Sequence, residues 1–95
     1  MKITFHIPGV LRDYTQGRRQ VEVDTSAETV AQALEQLWRM CPGLHDRVLT
    51  EQGEIRQHLN IFIGEDHIRD HGGLLAPVRE DESITIVPAV SGGAA

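Results

Sequence analysis

Only one stretch of the chain repeats apolar residues with the period of a helix. Val30, Ala33, Leu34, Leu37 and Cys41 fall at i, i+3, i+4, i+7 and i+11, the spacing that lines one face of an amphipathic helix. Gln32, Glu35, Gln36 and Arg39 take the opposite face. The other patterned segments alternate with period 2, as half-buried strands do. Ile3, Phe5 and Ile7 alternate with Lys2, Thr4 and His6, and Val21 and Val23 sit between Gln20, Glu22 and Asp24. Leu59, Ile61 and Ile63 alternate with Asn60 and Phe62, and Ile84 and Ile86 with Ser83, Thr85 and Val87. One helix covers one face of one sheet, which restricts the chain to two layers.

The punctuation sets the element order. Pro8-Gly9 ends the first strand, because proline cannot donate to a ladder. Val10 to Tyr14 reads as a short apolar-polar connection, and Gln16-Gly17 as a turn before the second strand. Thr29 with Gln32 reads as a capping box opening the helix, with Ser26 an alternative cap one turn earlier. Pro42-Gly43 closes the helix, predicted over 30–41. Residues 44–50 suit a second, shorter helical turn with Leu44, Val48 and Leu49 inward. Gly64-Glu65-Asp66 is a turn, and His67-Ile68-Arg69 a very short strand. Gly72-Gly73 calls for unusual backbone angles before Leu74 and Leu75 return to the core. Residues 77–82 form a charged turn, and Pro88 ends the last strand.

The resulting order is β-β-α-(short α)-β-(short β)-β. The first and last strands are best placed as central, parallel neighbours, since the whole chain between them serves as the crossover. This is an α+β, ubiquitin-like β-grasp: one mixed sheet of four to five strands, covered on one face by a main helix. Residues 1–88 form the domain. Residues 89–95, small apart from Val90, form a flexible C-terminal tail carrying Gly92-Gly93.

A chain of 95 residues is one domain. Leu, Ile, Val and Phe supply 26 of them, above the roughly 20% below which disorder is expected. One domain of this size buries only about 60–65% of its unfolded surface, which leaves little for a deep pocket and points to a carrier, adaptor or subunit. One cysteine excludes an intrachain disulfide and any Cys-rich zinc or iron–sulfur site; the four cysteines of a plant-type ferredoxin are lacking. Nine Lys and Arg against 14 Asp and Glu give a net charge of −5, which disfavours phosphate backbones, so no nucleic-acid partner is expected. There is no apolar run of membrane-spanning length and no signal-peptide pattern, and the expected location is the cytoplasm.

Side-chain chemistry is sparse. His67 and His71 stand at i, i+4, but the glycines that follow argue against a helix, and no third ligand is near in sequence, so no metal site is expected. His6, His45 and His58 read as solvated surface groups. Cys41 lies on the apolar stripe near a negative helix end and reads as core rather than nucleophile, and Trp38 as cover for a core edge. No Walker motif is present, so this chain is expected to bind no cofactor, ATP included. On the sheet face away from the helix, Phe62 and Val87 are expected as exposed apolar groups on neighbouring strands. Either they are ordinary scattered exposure or a docking patch.

These stretches together resemble the MoaD/ThiS family of sulfur-carrier proteins. The matching segments are Lys2 to Pro8 with Leu11-Arg12, Thr29-Val30, Cys41-Pro42-Gly43-Leu44, Leu59 to Ile63, Ile68-Arg69 before Gly72-Gly73-Leu74, and Ile84 to Gly93. The last is the most specific. The length and Gly72-Gly73-Leu74 are more similar to the MoaD-like branch that includes a carrier of cysteine biosynthesis than to shorter members. The resemblance implies a protein cosubstrate rather than an enzyme. The Gly93 carboxylate would be adenylated with ATP by an E1-like enzyme and converted to a thiocarboxylate. That group would donate sulfur to a synthase, either cysteine-synthase-like or the large subunit of molybdopterin synthase. Gly93 is then the reactive site, Ser91 and Gly92 the tail leading to it, and Phe62, Val87 and Val90 the docking residues. Five extended residues, 89–93, reach roughly 17 Å at about 3.4 Å each.

Family members typically end at the glycine pair, whereas Ala94-Ala95 follow it here. Either a tail-processing protease removes them, or they are not native, or this member is not activated. Two rival readings stand beside the carrier: a ubiquitin-like modifier that joins Gly93 to lysines, and a non-covalent β-grasp interaction module.

Overall fold

The computed structural model describes residues 1–88. Five strands form one sheet: β1 (Lys2–His6), β2 (Gln20–Asp24), β3 (Leu59–Ile63), β4 (Asp66–His67) and β5 (Ser83–Pro88). Their order is β2-β1-β5-β3-β4. β1 pairs with β2 antiparallel, Ile3 opposite Val23 and Phe5 opposite Val21. β1 and β5 are parallel, Thr4 opposite Ser83 and His6 opposite Thr85. β3 runs antiparallel to β5 from Leu59–Pro88 to Ile63–Ile84. The expected central parallel pair and the β-grasp order are both found.

The helix α1 spans Val30–Met40, with Cys41 as its C-cap. Its start is fixed by three partners. The Thr29 hydroxyl accepts from Gln32 N–H (3.3 Å), the Ala76 carbonyl accepts from Val30 N–H (2.9 Å), and Gln32 Oε1 accepts from Glu28 N–H (2.7 Å). These satisfy amides that a helix start leaves open. The glutamine thus reaches one residue further back than a capping box requires. Pro42, which lacks an N–H, stops α1 and opens a 3-10 turn, Pro42–Leu44, that runs into the four-residue α2, His45–Val48. A Cβ on Gly43 would lie 3.0 Å from Tyr14 Cδ1, so glycine here lets the Tyr14 ring pack against the chain.

Val30, Ala33, Leu34, Leu37 and Cys41 are all buried, together with Ile3, Phe5, Val21, Val23, Leu59, Ile61, Ile84 and Ile86 from the sheet. The two sequence periodicities therefore meet in one core. Trp38 is half-buried at its edge. Leu44 and Val48 are buried as expected, whereas Leu49 is only half-buried. No helix among the described residues is long and apolar enough to cross a membrane.

Three expectations are corrected. The connection at residues 10–14, read without regular structure, is part of a 3-10 helix, Gly9–Thr15, with Leu11 and Thr15 buried. The short strand is Asp66–His67, and Ile68–His71 turns into a 3-10 segment because Ile68 must be buried under the sheet edge. Leu75 is 76% exposed rather than in the core. Gly72 and Gly73 do take left-handed angles (φ 105° and 65°), and the tight turn of Gly73–Leu75 sends Leu74 inward and Leu75 out. Ala76 and Val78 are the buried residues of this segment.

Leu37 is fully buried at the centre of the helix stripe. Leu37→Ala should cost about 2–5 kcal/mol in urea unfolding, as expected for a buried leucine. A loss below about 0.5 kcal/mol, the scale of an exposed site, would contradict this helix register.

Candidate functional site

β5 is held on both sides, by β1 and by β3, and its last paired residue, Pro88, lies opposite Leu59. Whatever follows residue 88 therefore starts from a strand fixed in the centre of the sheet, at the end where β1 passes into the Gly9–Thr15 helix. Val90, Ser91, Gly92 and Gly93, the residues on which the tail expectation rests, lie outside the described residues, as do Ala94 and Ala95.

The sheet face away from α1 is the described part of the candidate site. Thr4, His6, Asn60, Phe62, Thr85 and Val87 all point to it, since their neighbours in each strand are buried beneath α1. Phe62 stands opposite Thr85 and Asn60 opposite Val87. The two apolar side chains are thus diagonal neighbours on adjoining strands, within reach of one another.

Their expected exposure needs correction: both are half-buried. The His67 ring packs edge-on against Phe62, with centroids 5.0 Å apart and planes at 66°. That ring is itself held. Its Nδ1 accepts from Arg69 N–H (3.1 Å), capping the 3-10 segment that follows β4. The neutral ring then carries its proton on Nε2, which donates to Asn60 Oδ1 at 3.0 Å. Arg69 Nη2 also lies 3.1 Å from Nε2, an approach that Nε2–H leaves as packing rather than a bond. Phe62, Asn60, His67 and Arg69 form one small cluster on this face.

Sequence reasoning puts Asn60 on this face beside Phe62, and missed His67 and Arg69 as members of the cluster. A histidine directly before a 3-10 turn is a local acceptor signal. That its ring covers Phe62 follows only from the β3–β4 hairpin. Of the other histidines, His45 and His58 are exposed as expected, and His6 is half-buried, 3.4 Å from Gln20 Nε2. Cys41 is buried. His71 Nε2 lies 3.6 Å from Asp66. Among the described residues, no group of three or more His, Cys, Asp or Glu side chains is arranged to hold a metal ion.

Comparison with known proteins adds the family. Residues 5–93 match the family model described as the ThiS family. The sulfur carrier protein CysO of Mycobacterium tuberculosis is 30% identical, covering 98% of this chain and 100% of that protein. Among solved structures, the Amycolatopsis orientalis BexX/CysO complex contains a chain matched at a TM-score of 0.83 and 30% identity, covering 96% of this chain and 99% of that one. SAMP1 of Haloferax volcanii matches at a TM-score of 0.81 and 26% identity, over 98% of this chain and 100% of its own.

His67→Ala removes the cap acceptor, the bond to Asn60 and the ring over Phe62. The expected cost is about 1–2 kcal/mol in urea unfolding, from one cap and one side-chain hydrogen bond. An unchanged midpoint would mean that the ring does not organise this face.

Proposed function

The chain belongs to the ThiS family, and from that premise we propose that it is a sulfur carrier, a small protein that partner enzymes use as a substrate. One observation carries this reading: the family match spans nearly the whole chain and runs to residue 93, the second glycine of Gly92-Gly93. A fold-only relationship would favour the core and would give no reason for the match to extend past the last strand.

The chemistry follows from a terminal glycine. A Gly93 carboxylate oxygen attacks the α-phosphorus of ATP held by an E1-like enzyme, and pyrophosphate leaves. A sulfur nucleophile supplied by the partner system then attacks the acyl carbon, and AMP leaves. The product is a thiocarboxylate that a synthase uses as its sulfur donor. Glycine suits both steps: without a Cβ the tail fits a narrow channel and the acyl carbon is unhindered. No side chain of this domain has to act in catalysis. Phe62 and Val87 on the outer sheet face, with Val90 beyond it, are the docking residues of this reading. The CysO relatives favour cysteine biosynthesis over molybdopterin synthesis as the destination of the sulfur. The SAMP1 likeness, with a name that belongs to a small archaeal modifier protein, supports a second reading in which the activated Gly93 is passed to lysines of target proteins.

Ala94 and Ala95 follow Gly93, so the Gly93–Ala94 peptide bond has to be hydrolysed before activation. A carboxylate two residues further on is displaced by roughly 7 Å at about 3.4 Å per residue. An error of even about 1 Å can cost a hundredfold in a positioned reaction. The test is ATP–pyrophosphate exchange with the E1-like enzyme of the same organism. A form ending at Gly93 should support exchange, the 95-residue form should be poor, and Gly93→Ala in the trimmed form should slow it. Equal exchange by both lengths removes the trimming requirement; no exchange by either removes the carrier reading.

Docking is tested separately. Phe62→Asp in the trimmed form should raise the KM for the carrier about tenfold or more, the scale of losing a buried apolar contact at an interface. Thermal unfolding by circular dichroism verifies the fold. An unchanged KM would take the outer face out of the interface.

A further inference from the structure

The net charge of −5 is unevenly distributed. At the end of the sheet where β5 begins, Asp24, Glu65, Asp66, Asp81 and Glu82 gather around the β1–β2 and β3–β4 ends. Lys2 stands opposite Asp24 in the β1–β2 ladder, the Lys2 carbonyl accepts from Asp81 N–H, and Gly64 N–H donates to the Ser83 carbonyl. The other end, where Pro88 is placed, carries arginines instead.

These arginines are brought together from distant parts of the sequence. Arg12 Nε donates to the carbonyl of Ile7 (3.2 Å), just past the end of β1. The Arg19 carbonyl accepts from Ile7 N–H (2.8 Å). Arg18 is tied to the same turn: the buried Thr15 hydroxyl lies 2.9 Å from the Arg18 carbonyl and 3.1 Å from that of Arg12. Tyr14, on the same 3-10 helix, carries the Arg47 guanidinium 5.0 Å from its ring centroid. Arg56 Nε donates to the Asp46 carbonyl (2.9 Å), and the Arg56 carbonyl accepts from Leu59 N–H, the residue opposite Pro88. Carboxylates near this group in the chain are Asp13, Asp46 and Glu54; Asp46 is bound to the His45 ring at 2.9 Å. Among the described residues no Lys or Arg side chain makes an ion pair. Val10, 69% exposed, sits on the 3-10 helix with Arg12.

We propose that this end of the domain, with Arg12, Arg18, Arg19, Arg47 and Arg56 and the exposed Val10, is a docking surface for an acidic protein surface, the mouth of the cleft that receives the tail. The inference rests on the carrier reading and adds to it a second contact region, distinct from the outer sheet face. Three observations favour a protein with carboxylates at its rim. An exposed apolar side chain, Val10, shares the 3-10 helix with Arg12, a pairing of apolar and charged groups that suits an interface. The backbones of Arg12, Arg18 and Arg19 are held by the bonds to Thr15 and Ile7, so less order is lost there on binding. They flank the strand that leads to the tail, where a steering charge would orient the approach. The acidic charge of the remaining surface opposes an extended nucleic acid.

The test is equilibrium binding of the full 95-residue chain to the E1-like enzyme of the same organism, by calorimetry at about 50 and 300 mM salt, a range over which exposed charges are strongly screened. The parent should bind and weaken with salt. Arg18→Glu with Arg19→Glu should raise Kd about tenfold or more at low salt and flatten the salt dependence. Lys2→Glu with Arg79→Glu makes the same change in net charge elsewhere and should stay within about twofold of the parent, as expected for charges away from an interface. Arg47→Glu alone, on a different element, should weaken binding in the same direction and decides the matter if the double variant unfolds. Equal weakening by the two double variants, or parent-like binding of the Arg18/Arg19 and Arg47 variants, overturns the patch while leaving the pyrophosphate-exchange result, and with it the carrier reading, intact. Failure of the parent to bind overturns this partner. Tight binding of a fluorescein-labelled RNA 20-mer at about 150 mM salt, where non-specific contacts are weak, would assign the arginines to nucleic acid instead.

Discussion

The apolar stripe of α1 against the inner face of the sheet is the interaction on which the other features depend. It is the main contact between the two layers, and the residues that make it, Leu34 and Leu37 from the helix with Ile3, Phe5, Ile61, Ile84 and Ile86 from the strands, are essentially without solvent exposure. Because the helix covers only that face, the alternation in each strand assigns its remaining side chains to the other one. The outer face is thus a by-product of core packing: Asn60, Phe62, Thr85 and Val87 reach it because their neighbours had to turn inward. A domain this small has little interior to spare for a deep cavity.

Both proposed contact regions are set by the same strand. β5 carries Val87 on the outer face and ends at Pro88 beside the arginine-bearing segments. A partner that grips the outer face and the arginine end holds the start of the tail from two directions.

Much of this was legible in the sequence because it is written in periods. The helix stripe, the four longer strands, the Thr29 cap and the parallel central pair all follow from apolar spacing and from punctuation by proline and glycine. What was hidden depends on contacts between distant residues or on geometry without a period. The 3-10 helix Gly9–Thr15 has too few residues to repeat a pattern. Leu75 is apolar yet exposed because the turn after Gly72 and Gly73 re-aims it. Phe62 looked open because nothing near it in sequence announces the His67 ring. The arginines at positions 12, 18, 19, 47 and 56 are scattered along the chain, and only the fold makes them neighbours. The glycine tail, by contrast, is plain in the sequence and lies outside the described residues.

The central pairing of Thr4 with Ser83 has a consequence for how the molecule is made. Two strands from opposite ends of the chain must meet in the middle of the sheet, so the contact that completes the fold is among the most distant in sequence. Topologies rich in such contacts fold slowly, because the loop between them must be closed before the pairing is gained. During synthesis β1 and β2 emerge early and can form their hairpin, yet β1 keeps one edge open until the last strand has been made. A chain interrupted before residue 83 therefore exposes an unpaired strand edge, the kind of edge that recruits other chains. The strand that closes the open edge is also the one that ends at residue 88, so the sheet is complete only when β5 has been made.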